Sequence, residues 1–200
     1  MRHMFVCPMD DVIRTALIEV RTDYRLAGGV HLRTFTPQQP PLYPYVPAYF
    51  QYYKKQRKPL REFLRDTMYG YKPKCFLLVL HDDATDLESH ALSEMLIACG
   101  AKETLMEFRA FLLSEKERYI AVTGSKRAVT VTLVSEQQGD TERIFIPIQD
   151  ASPENVLDAV QDLDPDGILP VYQFGLPERL AQIGTAVNEA EIIRNFVKLT

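Results

Sequence analysis

The sequence lacks several features that would place it in a specialised class of protein. It has no run of about 20 apolar residues, which a helix needs to cross a bilayer, and its first residues, "MRHMFVCPMDD", lack the apolar core and cleavage site of a secretory signal. Its three cysteines are odd in number and two lie in apolar runs, which indicates buried thiols rather than disulfides. The net charge of -4 is too small to recruit nucleic acid or anionic lipid by itself. We therefore expect a cytoplasmic protein with no membrane insertion and no nucleic-acid partner.

The composition is that of a globular protein. Hydrophobic residues make up 46% and charged residues 25% of the 200 residues, and both values are ordinary. A chain of this length commonly builds one sizeable core. We therefore predict a single domain over residues 1–200, with an N-terminal hairpin at 1–35, a connection rich in proline and aromatic residues at 36–58, and an α/β lobe at 59–200.

The N-terminal quarter contains two recognisable segments. Apolar and polar residues alternate over residues 11–33, and Gly28 and Gly29 can form a turn, which predicts a β-hairpin. Five prolines in residues 36–53 exclude a helix or an interior strand, because each removes a backbone donor. This segment contains "PPLY", which also matches a ligand of proline-recognising modules. The "KKQRK" that follows suits either a solvated approach to a helix or a nucleic-acid patch.

The clearest strand-helix-strand unit lies in the middle of the chain. Lys74–Leu80 is a continuous apolar run, which is typical of a strand covered on both faces. Thr85 and Glu88 form a capping-box pattern, and Gly100 offers a C-terminal stop for the helix between them. The following "ETLMEFRAFLL" is predicted to be the next strand.

The remaining elements follow from periodicity and turn residues. An amphipathic helix is predicted after Pro59, and residues 119–148 read as three antiparallel strands joined at "GSK" and "QQGD". A helix is expected to open at Ser152, with proline in its first turn, and residues 168–174 form another strand. We expect a further helix in "ERLAQIGTAV" and a helix or strand in "EIIRNFVKL".

The order of these pieces resembles the actin-like ATPase superfamily, in particular its bacterial branch of MreB and pilus-assembly homologues. The resemblance is carried by "KPLREFLRD", by "KCFLLVLHDDATDLESHALSEMLIACGAKETLMEF" and by "RYIAVTGSKRAVTVTLV", which occur in the family's order with similar spacing. It extends more weakly to "GILPVYQFGLPERLAQIG", which looks like the strand and glycine turn at the family's adenosine. The resemblance implies a ribonuclease-H-like α/β fold, with a mixed sheet flanked by helices.

The family's phosphate-binding hairpin is altered in this chain. The resemblance places Val122 where the family has an acidic residue and Arg127 where it has a threonine, with Gly124, Ser125 and Lys126 in the turn. Valine cannot hold magnesium or orient a water, and side chains in the turn restrict the close backbone approach that glycines allow around phosphate. Lys126 and Arg127 can still hold an anion as point charges.

The other nucleotide motifs of the family are also incomplete. No Asp-x-Gly-Thr phosphate loop is found in "CPMDDVIRTALIEV", and only Gly175 stands where the adenosine turn usually has two glycines. The chain is about half the length of a full actin-like protein, so the resemblance covers roughly one lobe. We therefore expect no cofactor and no ATP hydrolysis, although residual nucleotide or anion binding stays open.

A second candidate site follows the apolar strand. His81, Asp82 and Asp83 lie where ligands commonly bind at the end of a strand in a parallel sheet. Together with Lys126 they could form an enzyme or phosphate-ligand site. The simpler interpretation is a loop whose negative charges favour the N-terminus of the next helix.

The sequence thus supports two functions of different classes. The first is a non-catalytic interaction or scaffold protein with the actin-like fold, which binds a protein partner or its own copies, as in bacterial envelope, cell-shape or pilus assembly. The alternative is a small enzyme or phosphate-ligand-binding protein that uses the residues around His81 and Lys126.

Overall fold

A computed structural model describes residues 1–37, 57–73, 75–135 and 141–199. The "PPLY" motif and most of "KKQRK" lie outside these residues, so the expectations for them stay predictions. Backbone contacts divide the chain into two compact units. The first contains Met1–Leu80, Ala84–Glu107 and Phe196–Thr200, and the second contains His81–Asp83 and Phe108–Asn195.

A five-stranded sheet with the order β3-β2-β1-β4-β5 forms the first unit. Its strands are β1 (Arg2–Pro8), β2 (Ile13–Glu19), β3 (Arg33–Phe35), β4 (Cys75–Leu80) and β5 (Glu103–Phe108). β1 pairs antiparallel with β2 and parallel with β4, and β2 pairs antiparallel with β3. Every residue of β4 is buried, which explains its uninterrupted apolar sequence.

The predicted N-terminal hairpin is present as β2 and β3, but it is not a separate appendage. β1 is a strand that the sequence pattern did not indicate, and it joins the hairpin to β4 in one sheet. The return from β2 to β3 runs through residues 20–32, with a single bridge between Val20 and Leu26 before Gly28 and Gly29.

Two helices belong to the first unit, and their sequence signals are confirmed. Helix α1 (Arg57–Thr67) buries Leu60 and Leu64. Helix α2 (Asp86–Cys99) begins with the predicted capping box: the backbone N–H of Thr85 donates to the Glu88 carboxylate at 2.7 Å, and the N–H of Glu88 donates to the Thr85 hydroxyl at 3.3 Å. Gly100 ends α2 at φ +117°, a left-handed conformation that favours glycine.

The second unit also has a five-stranded sheet, with the order β10-β9-β6-β7-β8. Its strands are β6 (Arg118–Gly124), β7 (Ala128–Ser135), β8 (Arg143–Pro147), β9 (Val171–Phe174) and β10 (Thr185–Ala186). β6, β7 and β8 form the predicted antiparallel meander, and β9 pairs parallel with β6. Apolar residues of β6 and β7 pack with helix α3 (Pro153–Leu163) in the core of this unit.

The helix predicted in "ERLAQIGTAV" is wrong. A single 3-10 turn at Glu178–Leu180 is followed by β10, which pairs parallel with β9. Gly184 separates the two at φ +74°, and a Cβ there would come within 2.9 Å of the backbone carbon of Val171. This segment therefore packs its backbone closely against β9 instead of forming a helix, and the periodicity of the sequence does not reveal that contact. The final segment forms helix α4 (Glu189–Lys198), one of the two predicted alternatives.

Both units have the same strand topology. In each, three antiparallel strands are followed by a helix, by a strand parallel to the first and by a fifth strand beside it. The ribonuclease-H-like fold class is therefore confirmed, but the residues divide differently from the expected single lobe at 59–200. The structure contains this topology twice, because β1 to β3 complete a first copy. Chain length alone is then no argument against nucleotide binding.

Two further observations concern the helices and the cysteines of the described residues. None of their helices combines the length and the apolar character needed to span a bilayer. Cys7, Cys75 and Cys99 are free thiols and all three are buried. Burial raises the pKa of Cys75, and it raises that of Cys99 to about 11.

Candidate functional site

The structure brings the sequence-predicted site residues together within the second unit. His81, Asp82 and Asp83 are grouped with this unit although they follow β4 in the chain. Ser125–Arg127 form the turn between β6 and β7, and Gly175 follows β9. Because β6 and β9 run parallel with Thr123 opposite Phe174, the chain ends both strands at the same edge, where ligands commonly bind in such sheets.

Gly124 and Gly175 contact each other rather than enclosing an open space. A Cβ on Gly124 would lie 3.0 Å from the Gly175 carbonyl carbon and 3.2 Å from the Cα of Leu176. Gly175 has φ +72°, and a Cβ there would lie 3.3 Å from the Gly124 carbonyl oxygen. These two glycines are thus explained by the close approach of two backbone segments.

A buried arginine lies next to this contact. Arg109, in the 3-10 turn Arg109–Leu112, is only 1% exposed and is the largest fully buried side chain. Its Nη1 donates to the Gly124 carbonyl at 3.1 Å, and its Nη2 lies 3.2 Å from Nε2 of His81. The guanidinium also lies over the Phe174 ring, 5.4 Å from its centroid. Arg109 therefore links the end of β6, the end of β9 and His81.

The contact with Arg109 fixes the protonation state of His81. An arginine has no acceptor, so Nε2 of His81 must accept and its proton must lie on Nδ1. Burial lowers the pKa of His81 well below 6.5, and the positive charges of Arg109 and Arg127 lower it further. His81 is therefore a neutral acceptor at neutral pH. Its buried Nδ1 has no hydrogen-bond partner among the described residues.

Asp82 organises the backbone around it. The Ala110 N–H donates to both carboxylate oxygens of Asp82 at 3.1 Å, and the Thr123 hydroxyl donates to Oδ2 at 2.6 Å. Burial raises the pKa of Asp82, while these hydrogen bonds and the charges of Arg109 and Arg143 act in the opposite direction. Asp82 is 4% exposed. Its carboxylate is thus committed to the protein's own donors.

Asp83 fills the β6–β7 turn with negative charge. Its Oδ2 accepts from the Ser125 hydroxyl at 2.7 Å and from Nε of Arg127 at 3.0 Å, and its carbonyl accepts from Nη2 of Arg127 at 2.7 Å. The Ser125 hydroxyl in turn accepts from the N–H groups of Arg127 and Ala128 at 3.0 and 3.1 Å. No residue of this turn has a positive φ, so it has no conformational need for further glycines. The anion held here is the protein's own carboxylate.

Lys126 is exposed, unlike the buried residues of this network, and three cavities lie away from the predicted site residues. Lys126 is exposed at the tip of the turn. Three cavities of about 240, 710 and 290 Å³ are lined by none of the predicted site residues. Within the part of the chain that the structure describes, no group of three or more His, Cys, Asp or Glu residues could hold a metal ion.

Sequence reasoning missed three residues of the network. They are Arg109, Thr123 and Arg143, whose Nη1 lies 3.5 Å from the Asp82 carbonyl. A signal for Arg109 was present, because it is the single charged residue in the run "FRAFLL". A charge in such an apolar run either interrupts the strand or is buried with partners. No local pattern marks Thr123 or Arg143, since their partners are 41 and 61 residues away.

The arrangement can hold backbone segments in place, but its groups are poorly placed to act on a substrate. The imidazole and both carboxylates face arginines, hydroxyls or amides of the same unit. General acid-base catalysis needs a group within hydrogen-bonding reach of substrate. Here the His81 and Asp82 side chains are only 3% and 4% exposed.

No known family model and no curated protein matches the chain, but solved structures do. The ethanolamine utilization protein EutJ from Carboxydothermus hydrogenoformans is similar with a TM-score of 0.64 and 11% identity, over 98% of this chain and 88% of that one. A Ppx/GppA family member from Aquifex aeolicus has a TM-score of 0.50 and 10% identity, over 88% of this chain and 66% of that one.

An exopolyphosphatase from Cytophaga hutchinsonii is similar with a TM-score of 0.51 and 8% identity, over 86% of this chain and 66% of that one. At identities this low, the structural similarity establishes a shared fold and says nothing about activity. The relation to the MreB or pilus-assembly branch stays a prediction. The chain has the actin-like ATPase fold, as the sequence resemblance implied.

Proposed function

We propose that this chain is a non-catalytic protein of the actin-like fold that acts by binding a protein partner or its own copies. The observation that carries the proposal is the internal ion pair of the β6–β7 turn. Asp83 occupies Ser125 and Arg127, the groups that the family resemblance assigns to nucleotide phosphate. A bound phosphate would have to displace a carboxylate that already accepts two hydrogen bonds from this turn, one from the Ser125 hydroxyl and one from Nε of Arg127.

The environment of Val122 supports the loss of catalysis. The resemblance assigns this position to an acidic residue, but Val122 is fully buried and packs in the apolar core with Val131 and Ile120. Replacing it by a carboxylate would bury a charge in an apolar cluster, at a cost of several kcal/mol. The position therefore contributes to stability in this chain.

The alternative enzyme or phosphate-ligand site is less well supported. It requires His81 and Lys126 to converge on one ligand, and they differ in environment: His81 is buried against Arg109, while Lys126 is exposed. The neighbours in structure include an exopolyphosphatase, so a direct assay of phosphate release is the appropriate test.

The test combines phosphate release with a local measurement at the turn. Wild-type protein with ATP and magnesium should release no phosphate, and the amide resonances of Gly124 and Lys126 should not move. The Asp83→Ala variant removes the internal anion, so inorganic phosphate should then shift these amides through Arg127. The matched control is Asp86→Ala, which removes an exposed acidic residue at the start of α2. Phosphate release by wild-type protein that Lys126→Ala abolishes would overturn the proposal.

A further inference from the structure

A cavity in the first unit has an unusual concentration of positive charge. It has a volume of about 710 Å³, and among the described residues five cationic side chains and one carboxylate line it. We call it the basic cavity; its charged residues are Lys58, Arg61, Glu62, Arg65, Lys72 and Lys102. The whole chain carries a net charge of -4, so the positive charge of this cavity is opposite in sign to that of the protein as a whole.

The sequence of α1 produces one side of the basic cavity. Lys58, Arg61 and Arg65 are spaced three and four residues apart, so they share one face of the helix. Leu60 and Leu64 lie on another face of α1 and are fully buried. The burial of these leucines therefore fixes which side of α1 faces the cavity, and it aligns the three cations along it.

The five cations are not engaged in ion pairs within the described residues. None of them forms an ion pair there, and none has an unprinted partner. One competing explanation is that they compensate the C-terminal end of α2, beside Gly100. A helix end is equivalent to about half a negative charge, and Gly100 already donates to the carbonyl of Ile97. The helix end therefore accounts for a small part of the excess.

The rest of the lining is apolar or aromatic. Met68, Tyr71 and Pro73 contribute to it, and the Tyr71 ring is held by the Arg2 guanidinium, 3.5 Å from its centroid. Cavities of roughly 300–1,000 Å³ with an apolar lining and a few charged groups are typical of small-ligand sites. Extended surfaces that track a nucleic-acid backbone or a lipid bilayer are not confined in this way.

We propose that the basic cavity binds a small soluble organic anion that carries two or more phosphate groups. Arginine and lysine side chains are the usual partners of phosphate oxygens, through charge-assisted hydrogen bonds. Tyr71 and the apolar lining would contact the organic body of the ligand. This site lies wholly in the first unit, so the proposal does not depend on the function proposed for the β6–β7 turn.

The experiment is calorimetric titration of the full chain with inositol hexakisphosphate and with sodium tripolyphosphate. We expect binding of both, weakening as salt rises from about 50 to about 500 mM because exposed charges are screened. The Arg61→Gln/Arg65→Gln double variant should bind at least about tenfold more weakly. A control that makes the same change in net charge is Arg25→Gln/Arg118→Gln, two exposed arginines that do not line the cavity, and it should bind within about twofold of wild type.

The outcomes separate this proposal from its rivals. Equal weakening in the two double variants would overturn it, since binding would then reflect net charge alone. So would binding to phosphatidylserine vesicles or to oligothymidylate without binding to either small ligand. Circular dichroism of each variant checks that α1 is retained. Loss of binding in Arg61→Gln/Arg65→Gln, with the Gly124 and Lys126 amides unmoved in wild type, would support both this site and the internally filled turn.

Discussion

Acidification should destabilise the second unit through His81. The pKa of His81 is held well below 6.5, first by burial and then by the charges of Arg109 and Arg127. In the unfolded chain His81 takes up a proton near pH 6.5, while in the folded protein it stays neutral. Its contribution to stability is therefore fully present above pH 6.5 and is lost as the pH falls towards the folded-state pKa.

The size of the effect follows from the linkage between proton binding and folding. Each pH unit between 6.5 and the folded-state pKa of His81 costs about 1.4 kcal/mol. Lowering the pH from about 7.5 to about 5.5 should thus remove about 1.4 kcal/mol from the free energy of unfolding of the second unit. Asp82 acts in the opposite direction, because its raised pKa lets the folded state gain a proton as pH falls towards 3.8.

The assay is urea unfolding followed by far-ultraviolet circular dichroism, since the chain has no tryptophan. The His81→Gln variant keeps an acceptor for Arg109 but removes the titrating group, so its stability should change less on acidification. Asp82 is present in both proteins, and its effect cancels in the comparison. A control, Val122→Ala, lowers stability without removing a titratable group and should keep the wild-type pH dependence. An unchanged pH dependence in His81→Gln would refute this account of the buried histidine.

Three further predictions concern packing, capping and thiol reactivity. Gly124→Ala should destabilise the second unit by about 1–3 kcal/mol, because its Cβ meets the backbone of Gly175; Gly28→Ala, with nothing within 4 Å, should stay within about 0.5 kcal/mol in the same urea titration. Thr85→Ala should cost about 1 kcal/mol by removing the capping box of α2, and a Thr85→Ser variant that retains most of the stability would attribute the loss to the hydroxyl. With a pKa of about 11, only about one part in a thousand of the Cys99 side chain is thiolate at pH 8. Cys99 should therefore react with a disulfide reagent only after denaturant is added. Fast reaction in the native protein would contradict its burial.

Local sequence signals predicted most of the elements. The capping box at Thr85 and Glu88, the glycine stop at Gly100 and the three-stranded meander are all confirmed, because each is fixed by interactions between near neighbours in the chain. The strand β4 was predicted from its apolar run, because an uninterrupted apolar sequence is typical of a strand whose every residue is buried, as is found here. The failure in "ERLAQIGTAV" came from a contact between Gly184 and Val171, which are distant in the sequence.

The sequence also indicated residues that the structure brings together at the candidate site, but it could not show which groups they contact. It identified the turn at Ser125–Arg127 and the acidic run after β4, and it joined them only as an alternative enzyme or phosphate-ligand site. Their hydrogen bonds join residues 42 and 44 positions apart, and no periodicity encodes such a pairing. Arg109 was overlooked because a single charge in an apolar run does not reveal its partners, although burial makes this residue the centre of the network.

By itself, the sequence determined the fold class, and its family resemblance implied that an acidic residue and glycines of the family's phosphate-binding hairpin are absent here. Only the tertiary structure decided that the topology occurs twice, that Asp83 pairs with Arg127 of the β6–β7 turn, and that five cations of the first unit line one cavity. The physical reason is the range of the interactions. Helix caps, turns and apolar periodicity depend on residues a few positions apart, whereas sheet order, buried ion pairs and cavities depend on how distant segments pack.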